Sequence, residues 1–423
     1  MSRALVGIER WRVEMAMKTD NIRQKLRVAL PPSLLKEALV AFSFDAFGIF
    51  AGFIFASYLG AFQLAAWVIA LYPSVLTGRG IINGILSGRL GTALHLGTIK
   101  PQFRENTDRF YMLFRSIIVI TLQTSVLLGL ASLLFGSLLW GITAIDYLNI
   151  FVIILATMSI GMVTSLITMQ VAFFSFRKAW DPDVIVYPVM STVADIVMTI
   201  CFVIVLSLFF QFGFFGQIAV ALFGLTLVII TLAILPKCIH DKQFIKTIKE
   251  TMSTLLIISV IVNVTGTVLR QISETIGSRK EIYTVYPALI DTVGDVGSVV
   301  GSTATTKLVL GLVNPVFSSI KKHAPRILAT WAASLIMFIV YAFMSLLLQA
   351  GPLNSGFLRL ILLLLTTNLI AVFIIVLVSF AIAIATFRKG LDPDNFVIPI
   401  ESTLADGITT IALFVALFLT GYI

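Results

Sequence analysis

Long apolar runs, separated by short stretches rich in Lys, Arg, Pro and Gly, organise this chain from residue 37 to its end. An α-helix needs about 20 residues to cross a bilayer. On that measure the runs give eleven candidate spans, near 37–58, 62–97, 112–139, 149–175, 184–211, 217–236, 251–272, 283–312, 327–349, 358–386 and 396–422. The second and eighth are too long for straight spans, and each holds a proline and several glycines. Both are therefore expected to be broken or bent. The pattern predicts an all-α integral membrane protein with about 11 transmembrane helices.

Composition excludes a soluble domain: 58% of the residues are hydrophobic and only 12% are charged, against about 25% charged in typical globular domains. The stretch before the first span is long and charged and lacks the compact apolar core of a signal peptide. A net charge of +9 could suggest nucleic acid, but the basic residues sit in short segments between spans. That is the distribution of the positive-inside rule, so the expected partner is the lipid bilayer, with no nucleic acid. Eight Lys and Arg precede the first span, from Arg3 to Lys36, which puts the N-terminus in the cytoplasm. Alternation then places Lys100/Arg104/Arg109, Arg177/Lys178, Lys237/Lys242/Lys246/Lys249, Lys321/Lys322/Arg326 and Arg388/Lys389 inside as well. The opposite loops near 140–148, 212–216 and 350–357 contain no Lys or Arg, and only Arg279 and Lys280 break the pattern. The C-terminus is expected outside, in a multi-pass protein of the cell (cytoplasmic) membrane.

The chain repeats itself. Residues 176–195 read FRKAWDPDVIVYPVMSTVAD and residues 387–406 read FRKGLDPDNFVIPIESTLAD, with twelve of twenty positions identical at a spacing of 211. A second pair, 72–101 and 286–315, aligns without gaps at a spacing of 214 and shares Tyr72/Tyr286, Pro73/Pro287, Gly80/Gly294 and Gly97/Gly311. Each copy holds five spans, and the span at 217–236 has no counterpart. The expected organisation is a basic N-terminal segment (1–36), a first repeat (37–212), a connecting helix and linker (213–249) and a second repeat (250–423). The extra crossing makes both copies enter the membrane in the same direction, giving two parallel five-helix repeats and a pathway on the pseudo-twofold axis between them. With that fusion inside one chain, a monomer is expected.

Charged residues inside spans are the candidate chemistry, because a carboxylate in a bilayer is costly and marks function by default. Asp195 and Asp406 lie about eleven residues into their spans, roughly 17 Å at 1.5 Å per residue. They are read as ion ligands, or else as satisfied interior carboxylates. Thr192 and Thr403, one turn earlier, would orient them or pack helices. Glu401 replaces Met190 of the first copy and adds negative field. Asp291 and Asp295, one turn apart beside Gly294, line an ion path or pair with Arg79 or Arg89. Asp45 in the first span is a partner for Arg79, a proton-linked group or an ion ligand. Asp183 and Asp394, with Asn395, stand at the cytoplasmic starts of their spans, as helix-start residues or a cation site at the mouth. Pro73, Gly80, Pro287 and Gly294 mark where backbone would line the path. Three His and two Cys, none clustered, argue against a zinc, copper or nickel site.

These residues resemble the membrane domain of MgtE magnesium channels and of solute carrier family 41 magnesium transporters. The resemblance rests on Pro73, Gly78 and Gly80 with the small-residue helix after them, on the matching stretch from Pro287 to Gly311, and on the twice-used pattern Asp181 to Asp195 and Asp392 to Asp406. It implies Mg²⁺ permeation between the two copies, with Asp195 and Asp406 as central ligands. Where the family has Gly-Gly-Asn, this chain has Gly80-Ile81 in one copy and Gly294-Asp295 in the other, so an asymmetric site is expected. The large cytosolic sensor region of MgtE has no room in this sequence.

The leading reading is therefore transport of a divalent cation, Mg²⁺ first, as a channel or as an exchanger coupled to Na⁺ or H⁺. The alternative is a secondary transporter of an anionic organic substrate held by Arg79 and Arg89. No nucleophile motif, His/Asp cluster or phosphate loop points to an enzyme.

Overall fold

The computed structural model describes residues 31–62, 65, 67–178, 182–277, 279–349, 355–389 and 393–422, with the side chains of 61–62, 182–189, 243, 309, 355 and 393–399 outside that description. Most of the expected N-terminal segment thus lies outside the described residues, as do Asp181, Asp392 and the side chains of Asp183, Asp394 and Asn395. Among the described residues every regular element is helical. The first span is built from α1 (Pro32–Phe42) and α2 (Gly48–Ser57), joined through a 3-10 turn at Asp45–Phe47. Then come α3 (Trp67–His95), α4 (Asp108–Phe135), α5 (Ala144–Ile160), α6 (Val163–Arg177) and α7 (Pro182–Gln211). The connecting helix α8 (Gly213–Cys238) leads to α9 (Lys242–Ile276), α10 (Lys280–Val309), α11 (Ala324–Leu348), α12 (Ser355–Lys389) and α13 (Pro393–Leu419).

This is a multi-pass membrane protein. Among the described residues, ten helical segments are long and apolar enough to cross a bilayer by composition. The remaining predicted span, the eighth, is α10, and it falls below that standard because it carries Asp291 and Asp295 among small polar residues. It is almost wholly buried along its apolar positions, from Ile282 to Val300, so neighbouring helices shield its acids from lipid. The connecting helix α8 is the opposite case. Only 22% of its most apolar window is buried, and Phe214, Phe215, Leu222 and Leu232 point outward, as suits a helix that faces lipid.

The breaks are not where the prolines suggested. Both α3 and α10 run without interruption through Pro73 and Pro287. A proline frees the carbonyl four residues earlier, here those of Ile69 and Tyr283, and a membrane helix tolerates this when neighbours cover the site. Gly52 of α2 does so on α10: a Cβ at 52 would stand 2.6 Å from the Tyr283 carbonyl oxygen and 2.1 Å from that of Thr284. Gly266 of α9 sits on α3 in the same way, 2.1 Å from the Ala70 carbonyl oxygen. The interruptions fall instead at Asp45–Phe47 and at Gly161–Met162, between α5 and α6.

Those two glycine seats expose the main architectural fact. The spacing of 214 relates Gly52 to Gly266 and Ala70 to Thr284. The opening span of each copy therefore seats on the second span of the other. In agreement, α2 packs on α10 and α1 on α11, while α9 packs on α3 and α4. The two repeats exchange their first spans and interlock.

Other contacts repeat with the sequence. Arg177 Nε donates to the Pro101 carbonyl at 2.9 Å, and Arg388 Nε to the Pro315 carbonyl at 3.0 Å. Tyr72 and Thr199 hydroxyls meet at 2.9 Å, those of Tyr286 and Thr410 at 2.8 Å. Contacts between helix ends also respect the alternation of crossings. Arg326 pairs with Glu37 at 2.9 Å at one membrane face. At the other, Trp67 Nε1 donates to Asp146 at 3.0 Å and Arg270 to the Leu139 carbonyl at 3.3 Å. Arg279, the exception to the charge pattern, is an anchor there: its Nη1 donates to the Tyr422 carbonyl at 2.7 Å and its guanidinium lies 4.8 Å from that ring's centre.

Candidate functional site

Five carboxylates from four elements converge between the copies. Asp195 is on α7, Asp406 on α13, Asp291 and Asp295 one turn apart on α10, and Asp45 in the turn that interrupts the first span. Asp45 is 5% exposed and Asp195 9%; the other three are partly buried. Asp291 is the hub, where the charges of Asp195, Asp45, Asp295 and Asp406 are all felt. Asp195 in turn feels Asp406, and Asp45 feels both Asp295 and Asp195. Exchange of the first spans is what brings Asp45 of the first copy against α10 of the second.

Hydroxyls hold the frame. Thr77 of α3 donates to Asp406 Oδ2 at 2.7 Å. Thr292 donates to Asp45 Oδ2 at 2.9 Å and meets the Tyr341 hydroxyl at 2.7 Å. Thr192, one turn before Asp195, donates to the Phe44 carbonyl at 3.4 Å, beside Asp45, and Thr403 is fully buried one turn before Asp406. Asp291 Oδ2 has no hydrogen-bond partner. It lies 3.6 Å from where a Cβ on Gly48 would stand, so the small residue leaves that oxygen room.

The chemistry of such a cluster is that of a cation host. Like charges crowded in a low-dielectric interior repel, and a divalent cation among them relieves that repulsion. Among the described residues, no three His, Cys, Asp or Glu are gathered tightly enough to cage a metal ion. An ion which keeps part of its water, as Mg²⁺ does, needs fewer direct protein ligands than a caged one.

Several candidates stand elsewhere. Glu401 is fully buried but accepts from the Ser379 hydroxyl and packs against Gly297 and Gly301. Five residues before Asp406, it is turned about 140° around the helix, away from the cluster. The alternative that Arg79 or Arg89 pairs with Asp291, Asp295 or Asp45 is not met among the described residues. Arg79 donates to the Thr164 and Ser165 hydroxyls on α6, and Arg89 to Thr247 on α9 at 2.5 Å. Ion pairs among the described residues are Lys246–Glu250, Arg270–Glu274 and Arg326–Glu37, all outside the cluster. Gly80 and Gly294 are helical, so their segments do not offer free carbonyls. A Cβ at Gly80 would meet nothing within 4 Å, and one at Gly294 only Ala405, at 3.8 Å.

Thr77, Thr292 and Tyr341 are the residues that sequence reasoning passed over. Thr77 carried a usable signal: the ungapped alignment of 72–101 with 286–315 sets it opposite Asp291. Thr292 and Tyr341 carried none, since their roles arise from exchanged packing.

A family model for MgtE, described as a divalent cation transporter, matches residues 72–205 and again 286–416. Four of the five acids fall inside the matched stretches, and Asp45 falls outside them. No curated protein and no solved structure matches the chain.

Proposed function

From the premise that this chain belongs to the MgtE family of divalent cation transporters, we propose that Mg²⁺ crosses the membrane between the two interlocked copies, along the array of Asp195, Asp406, Asp291, Asp295 and Asp45. The observation that carries this reading is the convergence of both copies' repeated acids on Asp291, with no basic side chain among the described residues paired to any of them. Asp195 and Asp406 are the central ligands. Asp291 and Asp295 make the second copy's contribution the more acidic, because Thr77 stands where Asp291 does in the other copy. Asp45 closes the array from the exchanged first span.

In this account the N-terminus is cytoplasmic, the C-terminus is outside and the working unit is one chain. Residues 37–212 and 250–423 serve as the two halves of the pathway. Coupling to Na⁺ or H⁺ distinguishes an exchanger from a channel. Mg²⁺ uptake into proteoliposomes, with and without an imposed Na⁺ or pH gradient, tests both points: uptake that needs a gradient marks exchange, uptake without one marks conduction, and no divalent uptake at all overturns the proposal.

The competing anionic-substrate reading loses its site. Arg79 has no exposed surface, and Arg89 lies ten residues further along α3, about 15 Å at helical rise, engaged with a different helix.

A further inference from the structure

The helix α9 is longer than one crossing requires. Its 35 residues extend about 52 Å at 1.5 Å per residue, against about 30 Å of hydrocarbon, so it reaches past the hydrocarbon into the headgroup region. At its start Lys242, Lys246 and Lys249 share one face, at helical steps of four and three. Two turns on, the same face continues with Leu256, Val260 and Val264, and all six residues are exposed. Leu256 and Val260 show about half their surface, 49% and 51%, as a lipid-facing stripe does. The first exposed apolar residue of α9 is Met252, three residues or about 4–5 Å beyond Lys249. The lysines therefore begin where the hydrocarbon ends.

The turn from α8 into α9 leaves a groove of about 420 Å³ beside them, lined by Lys242, Lys246, Lys249, Ile239 and Ile245. His240 and two acids complete its wall, and the acids do not cancel the lysines. Asp241 caps α9, accepting from the Phe244 N–H at 2.8 Å. Glu250 meets Lys246 at 3.7 Å with both side chains more than half exposed, and such a pair is weak. Lys242 and Lys249 have no ion pair among the described residues. The shared fold does not call for this face: the spacing of 214 sets Val28, Pro32 and Leu35 where the second copy has Lys242, Lys246 and Lys249.

We propose that this face binds an anionic phospholipid of the phosphatidylglycerol kind. Its phosphate lies in the groove against Lys246 and Lys249, with Lys242 beyond, and an acyl chain runs along Leu256, Val260 and Val264. Lysines clustered at a membrane surface attract anionic headgroups, and here the order of charge and then apolar surface along one face is that of the lipid itself. A zwitterionic lipid brings its own cation and gains less from three lysines. A soluble phosphate would use the lysines and leave the apolar stripe unused. Because α9 is an exchanged first span, the bound lipid braces the interlocked packing from outside. The site does not depend on which cation the protein carries.

The test is thermal unfolding of the full chain in a neutral detergent, with added dioleoyl phosphatidylglycerol, dioleoyl phosphatidylcholine or inorganic phosphate. Phosphatidylglycerol is expected to raise the unfolding midpoint above that in phosphatidylcholine, and inorganic phosphate to leave it unmoved. The triple variant Lys242→Gln/Lys246→Gln/Lys249→Gln should lose the difference between the lipids. Lys321→Gln/Lys322→Gln, which removes two exposed lysines from another loop, should keep it. Native mass spectrometry should show phosphatidylglycerol retained on the wild type and lost from the triple variant. Equal midpoints in the two lipids overturn the proposal, as does a difference that survives in the triple variant. An equal rise with inorganic phosphate would assign the groove to a soluble anion instead. A two-chain complex that the triple variant breaks apart would assign the face to a second copy, and either result also overturns the lipid.

Discussion

Thr77 of the first copy donates its hydroxyl hydrogen to Asp406 of the second, across the interface between them, at 2.7 Å. At the equivalent place in the second copy stands Asp291, which feels the charge of Asp195 of the first. One frame therefore appears twice about a pseudo-twofold axis, once with a hydroxyl facing the central acid and once with a carboxylate. In the first arrangement the acid accepts a hydrogen bond, and in the second two acids face one another with Asp291 Oδ2 left bare. A cation entering this array meets more negative charge on the Asp291 side, so binding is expected to be lopsided rather than split between two equal sites.

Thr77→Val tests the hydroxyl half of that relationship. A hydrogen bond to a charged group contributes about 1.5–3 kcal/mol, so losing it should raise the Mg²⁺ concentration for half-maximal flux by about tenfold. Thr77→Ser should restore the wild-type value. Titration of flux against Mg²⁺ checks both, and an unchanged half-maximal concentration in the valine variant would remove Thr77 from the site.

Exchange of the first spans is tested by glycine. In Gly52→Ala and Gly266→Ala the new methyl would meet the Thr284 and Ala70 carbonyl oxygens at 2.1 Å, and backbone cannot rotate away. Each should destabilise the protein by about 1–3 kcal/mol, in the range of overpacked cores, read as a lower unfolding midpoint in detergent. Gly80→Ala, with nothing within 4 Å, should leave the midpoint near that of wild type. Equal behaviour of all three would argue against the interlocked packing.

Topology can be read by labelling. The native cysteines, Cys201 and Cys238, are buried, so single cysteines at exposed loop positions report the side they occupy. Glu105→Cys should react with an impermeant maleimide only from the cytoplasmic face, and Ile145→Cys only from the outside. The reverse pattern would invert the proposed orientation.

What the sequence made legible follows from local physics. The spans were readable because bilayer thickness sets a length, and α10 was found in spite of its acids because Val, Leu and Ile run through it from Val285 to Val300. The repeated phrase pointed to Asp195 and Asp406 before any geometry was known. The interruption at Asp45–Phe47 was not legible, since no proline marks it and the flanking residues are apolar. Pro73 and Pro287 misled in the other direction: each costs its helix one hydrogen bond, but a glycine from the other copy packs over the spot, and that rescue is visible only in three dimensions. Arg79 and Arg89 looked like partners for nearby acids because spacing along a chain says nothing of helix face. Asp45 could be flagged as a buried acid, but its place beside α10 depends on the exchange of first spans, a choice made by packing between copies.

The central claim is that acids from both copies serve one cation path. Mg²⁺ flux into proteoliposomes, comparing wild type with Asp195→Asn and Asp406→Asn, tests it most directly. The account predicts that either single substitution abolishes most of the flux while the protein still folds and reconstitutes. Flux that persists undiminished in both variants would contradict it and move the pathway away from the interface.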